Sequence, residues 1–245
     1  RTRELLREIR EMKNVKLVGL HSHIGSLITE IAPYSEVGKV MAALAKEALA
    51  LGHELDYVDV GGGLGVIYQN ALAVQADTEP GEGMALSPRA VGAQLLPPLA
   101  GLNCDLIFEP GRALVATSGV LITRVLYVKH SGGKRFVVVD ASMTDLIRPS
   151  LYNAYHQIVP VHFKNAETEK CEIVGPVCES GDFLAKDREL ERVQRGDLLA
   201  VMTAGAYGFS LSSNYNARPR PAEVLVDGNA YRISRPRQAV ERVWE

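Results

Sequence analysis

Three apolar runs in the first half of the chain, 15–20, 57–60 and 106–108, are separated by helical patterns, and each ends directly in glycine or charged residues. That alternation constrains the fold more than any other feature. Strands joined through helices by short connections lie parallel in one sheet. Their C-terminal ends then share one edge, where barrel and open-sheet enzymes keep their sites. The intervening patterns support this reading. Residues 2–12 put Leu5, Leu6, Ile9 and Met12 on one face of an amphipathic helix. A second helix starts at Pro33, turns Val37, Val40, Met41, Leu44, Ala48 and Leu51 inward, and ends at Gly52. A third begins at Ser87-Pro88 and stops at Pro97-Pro98. Residues 66–86, with Pro80-Gly81 and Gly83, read as a long loop.

Beyond about residue 118 the pattern changes to β-rich runs. Runs 119–129 and 134–140 meet at Ser131-Gly132-Gly133, a hairpin signal. Runs 157–163 and 169–174 are expected to pair around Asn165, and 197–202 gives one more strand. Runs 223–226 and 230–233 flank the turn Asp227-Gly228-Asn229, and 237–243 reads as a short closing helix. The expected organisation is an α/β domain over 1–116 and an antiparallel β domain over 117–245.

Lys plus Arg number 27 against 29 Asp plus Glu, a net charge of −2, which argues against nucleic acid or an anionic membrane as partner. No apolar run approaches the roughly 18 residues of a membrane span. Cys104, Cys171 and Cys178 are odd in number and widely spaced, which fits a reducing, cytoplasmic setting rather than a disulfide framework or zinc site.

The strand ends carry the chemistry. Glu109-Pro110-Gly111-Arg112 puts an acid and a guanidinium at the mouth of a run expected to be a buried strand. Such charges either pair with each other or meet charged ligand groups. Gly61-Gly62-Gly63 lets backbone amides approach an anion. Val66 stands where a dinucleotide fingerprint needs its third glycine, so a phosphate monoester is favoured. His21 and His23 fall on one side of a strand end, placed to bind a metal, to lie against a planar ligand or simply to hydrogen-bond at the rim. Ser26 follows, able to donate to phosphate. In the β half, Cys178-Glu179 sits in a turn after Gly175-Pro176, either as proton donor and acid or as a structural thiol. Arg148 and Tyr152, four apart, read as a carboxylate clamp or as a surface Arg beside a packed Tyr. Tyr207, in Gly205-Ala206-Tyr207-Gly208, is a turn aromatic or a ligand contact.

The order of these motifs is more specific than any one of them. His21-x-His23-Ile-Gly-Ser26, the glycine triplet, Glu109-Pro-Gly-Arg112, Gly175-Pro-Val-Cys178-Glu179-Ser180 and Gly205-Ala-Tyr207 together resemble the alanine racemase-like, fold type III pyridoxal phosphate decarboxylases. Asp145-Leu-Ile-Arg148-Pro-Ser-Leu-Tyr152 and Cys178-Glu179-Ser180 are most similar to the diaminopimelate decarboxylase branch. The resemblance covers essentially the whole chain but only the later part of the family's sequence. It implies the end of a (β/α)8 TIM-like barrel followed by a β-sandwich or barrel domain. It implies pyridoxal 5'-phosphate as cofactor, meso-diaminopimelate as substrate, L-lysine and CO2 as products, and a homodimer with shared sites. His23 would stack on the cofactor ring and also serve catalysis. Ser26, Gly61, Gly62, Gly63 and the Pro110-Gly111-Arg112 turn would hold the phosphate, and Glu109 would meet the pyridine nitrogen. Arg112, Arg148 and Tyr152 would bind substrate carboxylate, with Glu179 at the distal end and Tyr207 touching cofactor and substrate. Cys178 would donate a proton from the partner subunit.

One family feature has no counterpart. No lysine in this sequence sits in the family's Schiff-base segment, nor do the early barrel strands match anything here. The chain is therefore expected to be the later part of a longer enzyme and inactive alone. Alternatives are an ornithine-, arginine- or carboxynorspermidine-type decarboxylase, an inactive regulatory homologue, or a metal-dependent barrel hydrolase using His21 and His23.

Overall fold

The computed structural model describes residues 1–72, 86–164 and 166–244. Pro80-Gly81, Gly83 and Asn165, invoked in the loop and turn expectations, lie outside the described residues. The chain folds as two compact units, Arg1–Ile67 with Leu72–Leu114, and Tyr68–Ala71 with Val115–Glu245.

In the first unit β1 (Gly19–His21), β2 (Tyr57–Asp59) and β3 (Asp105–Ile107) form a parallel sheet in the order β1-β2-β3. The expected strand 15–20 is corrected to Gly19–His21. The ladder starts only where Asp56 N donates to Val18 O at 2.7 Å. Helix α1 spans Thr2–Arg10, α2 Ala32–Ala50 and α3 Pro88–Leu99. Of the face expected on α1, Leu6 is buried, while Leu5 and Met12 are exposed. On α2 Val40 is likewise exposed, and Val37, Met41, Ala45 and Ala48 turn inward. Helix α2 ends in a Schellman closure: His53 N donates to Ala48 O (3.1 Å) and Gly52 N to Leu49 O (2.9 Å), with Gly52 at φ +83°.

Helices α2 and α3 approach closely at Gly38, where a Cβ would meet Leu95 O at 2.7 Å. Leu95 and Leu99 are fully buried there with Val58 of β2. Each buried leucine contributes about 1.5–3 kcal/mol. Ser87 caps α3, its Oγ accepting from Ala90 N at 3.1 Å. The helix does not stop at Pro97-Pro98 but runs to Leu99. Proline lacks its own donor yet has helical φ, and Pro97 O still accepts from Ala100 N at 3.3 Å. The run ending in Glu109 is not buried as expected. Ile107 and Phe108 are 38% and 42% exposed, because β3 is the end strand of the described sheet.

A short helix, α4 (Gly111–Val115), leads into the second unit. There β4 (Leu121–Ser131), β5 (Lys134–Val139), β6 (Ile158–Pro160), β7 (Thr168–Val174), β8 (Phe183–Glu191) and β9 (Leu198–Val201) form one sheet in the order β6-β9-β4-β5-β7-β8. The β4–β5 hairpin closes through Gly132-Gly133, at φ +55° and +75°, between the paired Ser131 and Lys134. A type I′ turn needs positive φ at both positions, and glycine adopts it without strain.

The expected β6–β7 pair does not form: β6 pairs with β9, and β7 lies between β5 and β8. Of these, β5–β7 is parallel, so the sheet is mixed. The end strands approach each other, with Arg188 of β8 donating to His156 O, just before β6, at 2.7 Å. The sheet thus nearly closes on a core of Val125, Val137, Val139, Ile173, Leu184, Leu199 and Val201.

Helix α5 (Arg148–Tyr152) lies in the β5–β6 connection. Beyond the sheet, β10 (Glu223–Asp227) and β11 (Ala230–Arg235) form an exposed hairpin about Gly228-Asn229. The expected helix 237–243 is only a 3-10 turn, Val240–Val243. Among the described residues no helix is long and apolar enough to cross a membrane.

Candidate functional site

Parallel pairing puts the ends of β1, β2 and β3 on one edge, and the hydrogen bonds continue past the strands. Ser22 N donates to Asp59 O (3.0 Å), Val60 N to Ile107 O (3.1 Å) and Glu109 N to Gly61 O (2.8 Å). The His21–Ser26, Gly61–Gly63 and Glu109–Arg112 segments are therefore laced side by side. Glycine is required where they touch. A Cβ on Gly61 would collide with Ser22 O, one on Gly62 with Glu109 O, and one on Gly63 would lie 2.5 Å from Gly25 O. Gly61 and Gly63 also have φ of +70° and +90°.

This packing corrects part of the glycine expectation. Gly61 N donates to Asp59 Oδ1 at 2.8 Å, and Gly62 N to His23 Nδ1 at 3.3 Å. Those two amides serve the protein, and the triplet's main contribution is close approach of backbone to backbone. The bond from Gly62 also orients the His23 ring, leaving its Nε2 to carry the proton in the neutral form.

The charged groups have separate neighbours. Glu109 Oε2 lies 3.7 Å from His21 Nε2, and Arg112 Nη2 donates to Ser26 Oγ at 3.2 Å. A hydroxyl and a guanidinium side by side suit an anion. The imidazoles of the HxH motif diverge in role: His21 joins Asp59 and Glu109, with one ligand atom from each within 4.8 Å, while His23 meets the glycine turn. The trio could hold a divalent cation, and no sequence motif joins its three members. Its signal was register, since His21 pairs with Asp59 and Asp59 with Ile107. The first unit thus offers an aromatic ring in a fixed orientation, a hydroxyl–guanidinium pair suited to an anion, and an exposed carboxylate. That donor set fits a flat, phosphorylated heteroaromatic cofactor.

The second unit carries the remaining candidates. Cys178 and Glu179 are exposed on the turn between β7 and β8. Glu179 Oε1 accepts from Gly181 N at 3.3 Å, and Oε2 accepts from Tyr215 OH at 3.4 Å. The reading of a surface Arg beside a packed Tyr is reversed: Arg148 is 3% exposed and Tyr152 65%. Arg148 Nη1 donates to His156 Nε2 at 2.7 Å, and its guanidinium lies over the Tyr68 ring at 4.6 Å. His156, which sequence reading passed over, is fully buried and donates from Nδ1 to Met202 O at 2.9 Å. Tyr207 is 42% exposed at φ +57°. A bulky residue rarely adopts that conformation, which costs about 1–3 kcal/mol and clusters at functional sites. Gly205 and Gly208 pack too tightly for a side chain, against Val115 O and Ala204 O respectively.

A family model described as "Pyridoxal-dependent decarboxylase, C-terminal sheet domain" matches residues 23–205. The chain belongs to this family. Its cofactor is thereby pyridoxal phosphate, which the donor set of the first unit fits. A diaminopimelate decarboxylase of Aquifex aeolicus is 45% identical over 235 residues, 96% of this chain and 53% of the relative. One from Vibrio cholerae is 43% identical over 245 residues, 100% of this chain and 56% of the relative. The crystal structure of diaminopimelate decarboxylase from Helicobacter pylori complexed with L-lysine superposes with a TM-score of 0.85 at 40% identity, covering 99% of this chain and 57% of that one. The chain spans about half the length of the curated relatives it matches.

Proposed function

We propose that this chain is the later part of a pyridoxal phosphate-dependent decarboxylase that converts meso-2,6-diaminopimelate to L-lysine and CO2. The observation that carries the reading is the match over nearly all of this chain, at 43–45% identity, to proteins named diaminopimelate decarboxylase. The separate placement of Glu109 beside His21 and of Arg112 beside Ser26 supports it.

In this reading residues 1–116 are the end of a (β/α)8 barrel and 117–245 the C-terminal β domain, a boundary two residues past the Leu114/Val115 division of the two units. Bound pyridoxal phosphate supplies an electron sink for the pair released as CO2 departs. His23 stacks on the ring and supports catalysis. Ser26, Gly63, Gly111 and Arg112 hold the phosphate, while Gly61, Gly62 and Pro110 shape the turns that allow it. Glu109 sits at the pyridine nitrogen, where a carboxylate favours the protonated ring. Arg112, Arg148 and Tyr152 bind substrate carboxylate. Arg148 does so from a buried position, where water competes least. Glu179 meets the distal end of the substrate, where its carboxylate suits the ammonium group, and Tyr207 touches cofactor and substrate. Cys178 delivers the proton to the carbon that CO2 leaves. It comes from a partner copy, so the enzyme works as a homodimer in the cytoplasm. Incubating the full-length polypeptide with pyridoxal phosphate and meso-diaminopimelate tests this: lysine and CO2 in equal amounts are expected, and CO2 from ornithine or arginine alone overturns the substrate.

A further inference from the structure

We propose that Asp182 is a positioning residue for Cys178 and Glu179. Its carboxylate fixes the turn that carries both and ties that turn to the segment leading into the Arg148–Tyr152 helix. The inference rests on the decarboxylase reading and deepens it.

Asp182, the acid immediately before β8, is only 5% exposed. Buried carboxylates persist where donors converge on them. Two backbone amides from separate segments do so here. Val177 N donates to Oδ2 at 2.6 Å, and Met143 N donates to Oδ1 at 2.7 Å. The Asp182 backbone closes the same turn, its N donating to Glu179 O at 3.0 Å and its O accepting from Gly175 N at 3.2 Å.

Gly175 leaves room for the carboxylate. A Cβ there would lie 2.5 Å from Asp182 Oδ2 and 2.7 Å from Ala141 O. A second tie comes from α5, where the Ser150 hydroxyl donates to Gly181 O. The turn from Gly175 to Gly181 is thus held from beneath by Asp182 and from the side by Ser150. Arg148 and Tyr152 share a short helix with Ser150. The turn carrying Cys178 and Glu179 and the segment carrying Arg148 and Tyr152 are therefore held to one another through the Asp182 and Ser150 side chains.

The chemistry requires an acid. A carboxylate accepts at both oxygens, whereas an amide has one acceptor and turns its NH2 group against a backbone N–H. Asp182→Asn keeps the shape and removes one clamp. A displacement of about 1 Å at catalytic groups lowers rates by about 100-fold.

The test uses full-length polypeptide carrying D182N or D182E. D182N is expected to bind pyridoxal phosphate with the parent's absorbance and affinity, to lose about 10-fold or more in kcat for diaminopimelate, and to change the iodoacetamide alkylation rate of Cys178 by more than about twofold. A residue serving stability alone would lower Tm and leave kcat and alkylation unchanged below it. A folded D182N with parent-like kcat and parent-like Cys178 alkylation overturns the proposal. If D182N does not fold, D182E decides, since it keeps both acceptor oxygens but lengthens the arm that holds Val177 N and Met143 N: altered Cys178 alkylation supports the proposal, and parent-like alkylation overturns it. If the parent itself releases no CO2, the decarboxylase reading fails, and the alkylation rates still decide whether Asp182 sets the turn.

Discussion

Gly63→Ala tests the packing of the strand-end turns. Gly63 has φ +90°, and an added Cβ would lie 2.5 Å from Gly25 O and 3.0 Å from Ile28 Cδ1. The conformation alone costs an L-residue about 1–2 kcal/mol. The methyl falls about 0.9 Å short of the 3.4 Å at which ordinary contact begins, and the group it meets is backbone. Overpacking of that kind adds about 1–3 kcal/mol. The variant is expected to lose about 2–5 kcal/mol in urea unfolding, a large fraction of the roughly 5–15 kcal/mol that a domain possesses. The strain reaches the proposed cofactor site, because Gly25 precedes Ser26, which meets Arg112 at 3.2 Å. Loss of one such hydrogen bond, worth about 0.5–1.5 kcal/mol, raises the Kd for pyridoxal phosphate by roughly 2- to 10-fold in full-length polypeptide. An alanine variant within about 0.5 kcal/mol of the parent, with unchanged cofactor affinity, would refute the reasoning.

Gly92 is the counterpart inside α3, where a Cβ meets nothing closer than Leu96 Cδ1 at 3.6 Å. Gly92→Ala is therefore expected to raise stability by about 0.5–1 kcal/mol, read from the urea midpoint, and a loss would show that the helix is held differently. The cysteines are expected to separate by reactivity. Cys178 is exposed, whereas burial pushes the Cys171 thiol up from 9.0 to about 11, with its Sγ–H donating to Arg188 O at 3.4 Å. At pH 8 native protein is expected to alkylate at Cys178 well before Cys171, by peptide mass mapping. The folded state holds the Cys171 proton more tightly than the unfolded state. Its contribution is intact below pH 9 and is lost as pH rises towards about 11. Cys171→Ala is expected to flatten the fall in urea midpoint across that window, and an unchanged slope would place the titration elsewhere.

Local rules made much of the fold readable. Ser87-Pro88 and Gly52 mark helix ends because capping chemistry acts within one turn. Gly132-Gly133 marks a hairpin whose turn takes positive φ at both residues, and Gly228-Asn229 one whose turn takes it at Gly228. Partners distant in sequence were harder. Nothing in residues 157–174 says that β6 joins β9 while β7 enters parallel to β5, since register is decided by the whole sheet. Strand β8 was overlooked because Lys186, Asp187, Arg188 and Glu189 break its apolar pattern.

The site shows the same division. His23, Ser26, Glu109 and Arg112 could be picked out from motif order. The His21–Asp59–Glu109 trio, the His156 support beneath Arg148 and the Asp182 clamp needed coordinates, because each unites segments brought together only by folding. The sequence marks all three triplet amides as anion donors, whereas the tight backbone contacts give Gly61 N and Gly62 N protein acceptors.

The most direct test is to assay the full-length polypeptide, saturated with pyridoxal phosphate, on meso-diaminopimelate, ornithine and arginine in parallel, following CO2 release and the amino product. The account predicts CO2 and lysine in equal amounts from diaminopimelate and none from the other two. Release from ornithine or arginine, or no release from any substrate by a protein that binds the cofactor, would contradict it.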